Sequence, residues 1–209
     1  VASAAPVGIR RLGAIPNDPL FTPNQWALHN TGQTVVFPDP GDPAQNISLT
    51  GAADADIDAP EAWDIVTGSP SVVVAVIDSG FPMANADLTP NLWVNTGEIA
   101  GDEIDNDGNG YVDDRNGFNF FDGNANINDA HGHGSFVSGI IGARGNNATG
   151  MAGVAWNVSL MGLKPFSNEG TANDADLIEA IEYAVANGAH IINASWGDWL
   201  HSPVLESAI

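Results

Sequence analysis

The most constraining feature of the chain is Ser71–Val72–Val73–Val74–Ala75–Val76–Ile77, an apolar, β-branched run that stops abruptly at Asp78–Ser79–Gly80. A strand with one face in water alternates polar and apolar residues, so a run without alternation predicts a central parallel strand covered on both faces. Helices must supply that cover. Ala175–Ala186 (ADLIEAIEYAVA) is strongly amphipathic, with Asp174 near its cap and Gly188 past its end, and predicts a helix. Val158–Leu163 and His190–Ala194 read as strands before and after it. Strand, helix and strand joined by short links predict right-handed βαβ units. The predicted fold class is α/β, a parallel sheet flanked by helices in three layers.

Two further helices are expected. Ala59–Val66 has Pro60 in its first turn and is ended by Gly68 and Pro70. Gly134–Gly142 is small and apolar enough for a tightly packed, buried helix. Residues 1–50 are rich in Pro, Asn, Asp and Gly without periodicity, and read as an amino-terminal extension and arm lying over a core built elsewhere. Residues 51–209 then form the folded part. The last residues, Ser202–Ile209, look like the opening turns of a helix, so the domain is expected to be incomplete at its carboxyl end. Val1–Ile15 reads as propeptide remnant or variable extension.

Length and charge narrow the function classes. The 209 residues suit one sizeable core. Five Lys and Arg against 26 Asp and Glu give a net charge of −21, which excludes nucleic acid as a natural partner and calls for cations or high salt. Without cysteines there can be no disulfide, thiolate nucleophile or Cys-ligated zinc. No stretch is apolar for long enough to span a bilayer, and no signal peptide opens the chain.

The acidic residues concentrate at 102–114. Asp105–Asn106–Asp107–Gly108–Asn109–Gly110–Tyr111–Val112–Asp113–Asp114 places oxygen donors at alternate positions before a glycine, as in the first half of an EF-hand loop. Asp105, Asp107 and Asn109 would point inward, the Tyr111 carbonyl would complete the near side, and Asp113 or Asp114 would close a Ca2+ site. The twelfth position holds Asn116 in place of the bidentate glutamate. A solvated Asx-rich loop is the plainer reading.

Asp78 stands where functional groups gather in open parallel sheets, at the carboxyl end of a strand, although a turn or cap aspartate fits as well. Gly132–His133–Gly134–Ser135 sets a histidine at the start of the Gly-rich helix, where glycines let other segments approach. His131 lies close by. Taken together, Val76–Ile77–Asp78–Ser79–Gly80 and Gly132–His133–Gly134–Ser135–Phe136–Val137–Ser138–Gly139 resemble the aspartate and histidine motifs of the subtilisin-like serine proteases. The resemblance extends from Asn17–Phe21, through Ala55–Trp63, to Asn193–Ala194–Ser195–Trp196–Gly197.

The resemblance implies a subtilisin-like fold and a serine endopeptidase acting on polypeptides, in which Asp78 orients His133 and His133 is the general base. It implies that Ser195, Trp196 and Gly197 border the specificity pocket and pair with extended substrate. It also implies a second calcium site, with side-chain oxygens from Asp18, Asp87 and Asn147 and carbonyls from Arg144, Thr149 and Met151. Related proteases carry acidic inserts between the two motifs, here 95–122. The family places its serine in a Gly-Thr-Ser-Met-Ala segment and an oxyanion-hole asparagine in an Ala-Gly-Asn segment, and neither occurs in this sequence. These residues alone are therefore expected to be inactive. Where many members have a second histidine, this chain has Phe136, expected to face the core one turn beyond His133. The protein is expected to be secreted, to work as a monomer outside the cell and to be calcium-stabilised. A catalytically inert calcium- or peptide-binding module on the same scaffold is the alternative.

Overall fold

The computed structural model of the protein describes residues 14–209. In chain order its elements are α1 (Phe21–Asn24), β1 (Thr34–Asp39), β2 (Asp42–Thr50), α2 (Ala59–Trp63), β3 (Gly68–Ile77), β4 (Gly117–Phe118), α3 (His133–Gly142), β5 (Asn157–Leu163), α4 (Asp174–Ala186), β6 (Ile191–Asn193) and α5 (Pro203–Ala208). β4, β5, β3 and β6 lie side by side in that order, and every pairing among them is parallel. This is the expected α/β sheet, with the apolar run of β3 at its interior.

The unbroken run has a direct physical reading. Val74 and Val76 of β3, with Val158 and Leu160 of β5, face Val137 of α3 on one side of the sheet. Ala75 and Ile77, with Met161 and Leu163, face Leu177, Ala180, Ile181 and Ala184 of α4 on the other. Both faces of each strand are buried, so neither carries the polar half of an alternating pattern. α4 starts one residue earlier than its apolar stripe. Asn173 is its N-cap and accepts from the Asp176 N–H at 3.0 Å, which leaves Asp174 in the first turn.

A third apolar cluster holds the amino-terminal segment against the body. Phe21, Leu28, Ala59 and Trp63 pack with Ala152 and Trp156, and the Trp63 indole N–H donates to the Val154 carbonyl at 2.8 Å. Gln25 grips the backbone of one residue on both sides of its Cα: its amide nitrogen donates to the Ala152 carbonyl at 2.6 Å and its amide oxygen accepts from the Ala152 N–H at 2.9 Å.

Within the arm, residues 34–50 form regular structure that its lack of periodicity did not suggest. β1 and β2 form an antiparallel hairpin turning at Pro40–Gly41, with Thr34 paired to Thr50 and Phe37 to Ile47. Pro38 and Pro43 are tolerated because a two-stranded hairpin has open edges where a missing N–H costs little. The propeptide question raised by Val1–Ile15 falls mostly on residues 1–13, outside the described residues. No helix among the described residues is long and apolar enough to cross a membrane.

Candidate active site

β3 delivers Asp78 to the carboxyl edge of the sheet, where the Asp78 N–H donates to the Leu163 carbonyl at 2.9 Å and continues the pairing one residue past the strand. α3 begins at His133, so its first side chain faces that edge. The His133 Nδ1 lies 2.7 Å from Asp78 Oδ1. The Asp78 side chain is 3% exposed and that of His133 is 45% exposed, so a buried carboxylate holds an imidazole open to solvent. Asp78 Oδ1 also accepts from the Ser79 N–H at 2.7 Å, and Oδ2 is buried without a partner among the described residues.

Close approach explains the glycines. A Cβ on Gly134 would stand 2.2 Å from the Gly80 carbonyl oxygen and 3.2 Å from the Asp78 Cβ. Gly80 has φ +134, and a Cβ there would meet the Ile127 carbonyl oxygen at 2.6 Å. The loop after β3 and the start of α3 thus touch backbone to backbone, at a distance only glycine permits.

Phe136 departs from expectation. It is 66% exposed, whereas Gly134, Val137, Ser138 and Gly142 form the buried face of α3. Two residues beyond Gly134 is a rotation of about 200° at 100° per residue, which carries Phe136 to the solvent side.

Ser195, Trp196 and Gly197 follow β6 and line, with Asp78, His131 and His133, a cleft of about 260 Å³. The Trp196 indole N–H donates to the Ile77 carbonyl at 2.9 Å, fixing this segment beside the residue that precedes Asp78. The Ser195 hydroxyl accepts from the Asn193 amide at 2.9 Å.

The acidic loop brings together only part of its expected set. Oxygens of Asp105 and Asp107 lie within 4.8 Å of each other and of a third carboxylate, Glu98, which the EF-hand spacing did not reveal. Glu98 is buried and accepts from the N–H groups of Asn106 (2.7 Å), Asp107 (3.1 Å) and Asp113 (3.1 Å). The Asp105 carboxyl is held below the usual range by the N–H of Gly110 above all, and by those of Gly108 and Asn109, against the opposing effect of burial. The Asp113 carboxylate turns the other way and takes the N–H groups of Gly101, Asp102 and Glu103.

Fully buried Asp114 stands nearer the expected loop. It accepts from the Asn109 amide at 2.8 Å, the Asn95 amide at 2.9 Å and the Tyr183 hydroxyl at 2.5 Å. Tyr111 donates its N–H to Asn109 Oδ1 at 2.8 Å and sets its ring edge-on to Phe118 and Tyr183. Burial, then the Glu179 carboxylate, push its hydroxyl up to about 12.

A second cluster unites residues far apart in sequence. Asp18 accepts from the N–H groups of Asn146 at 2.6 Å and Asn147 at 3.3 Å. Asp87 accepts from the Asn147 amide at 2.8 Å and the Met151 N–H at 3.0 Å, while its carbonyl takes the Arg144 N–H at 2.8 Å. Asn147 Oδ1 receives the Thr149 N–H at 2.8 Å. Asp18 and Asp87 are both buried.

Sequence reasoning also missed Asp129, whose carboxylate gathers five hydrogen bonds around the start of α3. A carboxylate four residues before His133, at the mouth of a helix with a glycine cap, was the available signal.

Comparison with known proteins places this geometry in context. The model of the Subtilase family matches residues 69–208, from the opening of β3 to α5. Subtilisin-like protease 1 of Plasmodium berghei is 36% identical over 137 residues, covering 65% of this chain and 23% of that protein. Thermophilic serine proteinase of Bacillus sp. (strain AK1) is 33% identical over 148 residues, covering 71% of this chain and 31% of that protein. Thermitase of Thermoactinomyces vulgaris is 29% identical over 153 residues, covering 73% of this chain and 47% of that protein. The chain therefore spans less than half the length of each of these relatives. With the parallel sheet, the Asp78–His133 contact and the family match agreeing over the same residues, the chain belongs to the subtilase family.

Proposed function

We propose that the chain supplies the acid–base half of a serine endopeptidase, with residues 51–209 as the amino-terminal part of its catalytic domain. The observation that carries this reading is the 2.7 Å contact between buried Asp78 and half-exposed His133 at the rim of the cleft. Asp78 fixes the tautomer with the proton on Nδ1, which leaves Nε2 free to take a proton from a serine hydroxyl. The imidazolium then returns its proton to the departing amine. An extended peptide lies along Ser195–Gly197 as an added strand, its side chain in the cleft bordered by Trp196.

The serine belongs to a Gly-Thr-Ser-Met-Ala segment that these 209 residues do not contain, so alone they do not cleave peptides. The direct test joins the chain to a serine-bearing segment and assays peptide hydrolysis. His133→Ala should lower kcat by roughly 10⁴-fold to 10⁶-fold with the fold intact. Hydrolysis by the 209 residues alone, unchanged in His133→Ala, would sink the reading.

Glu98, Asp105 and Asp107 suit a hard cation bound through oxygen, and we assign Ca2+ to them. Three carboxylates this close repel one another unless a cation stands between them. When bound, Ca2+ supplies charge neutralisation, not chemistry at the peptide. Asp114 and Asn109 brace the loop from behind. The Asp18, Asp87 and Asn147 cluster is assigned to a second Ca2+ by family resemblance, with Arg144, Thr149 and Met151 contributing carbonyls. A secreted, extracellular monomer fits this dependence. Calcium titration tests the location: dissociation constants near 10⁻⁴ to 10⁻³ M are typical of extracellular modules, and nanomolar binding would argue against it.

A further inference from the structure

We propose that Asp129 is a positioning residue for His133, fixing through Ser79 and the first turn of α3 where the imidazole meets Asp78. The inference rests on the acid–base reading of Asp78 and His133. α3 opens on Gly132, whose φ of 96° is left-handed and which has no side chain to satisfy the first N–H groups of the helix. Residues outside the helix do so instead. Asp129 Oδ2 accepts from the N–H of Ser135 at 2.8 Å and from its hydroxyl at 2.6 Å. Oδ1 accepts from the N–H groups of Gly132 at 2.9 Å and His131 at 3.1 Å, and from the Ser79 hydroxyl at 2.9 Å.

Ser79 completes the link. Its hydroxyl oxygen accepts from the Gly134 N–H at 3.0 Å, its own N–H donates to Asp78 Oδ1, and its carbonyl takes the buried Lys164 ammonium at 2.7 Å. One carboxylate thus holds the chain before and after His133 and, through a single hydroxyl, the neighbour of Asp78. The imidazole itself is tethered to Asp78, so its placement follows from the backbone that Asp129 anchors.

Charge acts in the same direction. A helix start carries roughly half a positive charge, which opposes an imidazolium on its first residue, and a carboxylate there offsets it. Asp129 is suited to remain ionised: burial pushes its carboxyl up, but hydrogen bonds from Ser135, Gly132 and Ser79 outweigh this and hold it below the usual range. Asp78, His131 and Glu169 are the titratable groups that line the cleft with His133, and Lys164 lies beneath Ser79.

The test is ¹⁵N NMR of the histidine rings in the 209-residue chain at about pH 8, where a free imidazole is neutral. The unmodified chain should show His133 protonated at Nδ1 and bare at Nε2. Asp129→Asn and Ser79→Ala should each yield a mixture of tautomers and exchange the Nδ1 proton roughly tenfold faster, the scale of one such hydrogen bond. A helix cap with no positioning role would lower the melting temperature and leave the ring alone. Asp78→Asn checks the underlying pairing: an unchanged ring in that variant removes the acid–base reading itself. If Asp78→Asn scrambles the tautomer while folded Asp129→Asn and Ser79→Ala keep it, Asp129 is only a cap and the proposal is overturned. Should Asp129→Asn fail to fold, Ser79→Ala decides by the same criterion.

Discussion

The Asp78–His133 site and the acidic loop before it are both built from carboxylates, yet they are held by opposite means. Asp78 is carried on a strand whose neighbours Ala75, Val76 and Ile77 are almost entirely buried, so apolar packing places it whatever its charge. Glu98, Asp105 and Asp107 hang on a loop without a sheet beneath it, kept in place by N–H groups folding back on carboxylates. Among the described residues no Lys or Arg forms a salt bridge with a carboxylate, and backbone N–H dipoles are what these acids meet at hydrogen-bond distance. One site is formed by packing, whereas the other, on the calcium assignment proposed above, is completed by what it binds.

That contrast can be broken most forcefully by chelation. Removing Ca2+ from a solution that holds it at about a hundred times its dissociation constant should lower the melting temperature by roughly 5–10 °C in a domain of this size. Differential scanning calorimetry with and without chelator measures it. Asp105→Asn should erase much of the difference, while His133→Ala should leave it whole. Equal losses of calcium response in both variants would mean that the two regions are not independent.

The packed site should fail for steric reasons alone. Gly134→Ala forces a methyl against the Gly80 carbonyl oxygen and should cost roughly 1–3 kcal/mol in urea denaturation, with or without Ca2+. A neutral result would mean that the backbone contact can yield, and rigidity would no longer distinguish this site.

A smaller effect tests the ionised group within that site. The folded-state value of Asp129 is depressed, so its charge stabilises the fold above the unfolded value of about 3.9, and that contribution is lost as pH falls through the folded value. The urea midpoints of the unmodified chain and Asp129→Asn should therefore converge as pH falls below about 5, through the unfolded value and on through the lower folded one. A gap that stays constant over that range would assign the bonds to geometry without charge. The smallest change is expected at Phe136: Phe136→Ala, on the solvent side of α3, should alter stability by no more than about 0.5 kcal/mol.

What could be read in advance follows the same divide. β3 and β5 were legible because burial on both faces leaves a local signature in residue type, and α4 because burial on one side leaves an amphipathic stripe. Asp78 and His133 were legible because each stands in a short motif, after β3 and at the start of α3, that resembles the family's. Glu98 was not, because an EF-hand template looks for its last carboxylate downstream of Gly110, and this loop takes one from upstream. Asp129 was missed because its bonds are to N–H groups, which sequence does not display. The hairpin of β1 and β2 was hidden by Pro38, Pro40 and Pro43, which normally mark a chain that is not pairing. Phe136 lies about one turn beyond His133 and shares its half-exposed side of α3, so its apolar character does not report a buried position.

The ties between the amino-terminal segment and residues 144–156 also set an order of events. Asp18 meets Asn146 across 128 positions and Gln25 meets Ala152 across 127. On a ribosome, residues 18–28 emerge early and must wait for a partner surface that does not yet exist. Loops this long close slowly compared with local helices and strand–helix–strand units. This segment, made before residues 144–156, is therefore among the later parts to dock, and until then Phe21 and Leu28 remain exposed as a sticky face of the nascent protein.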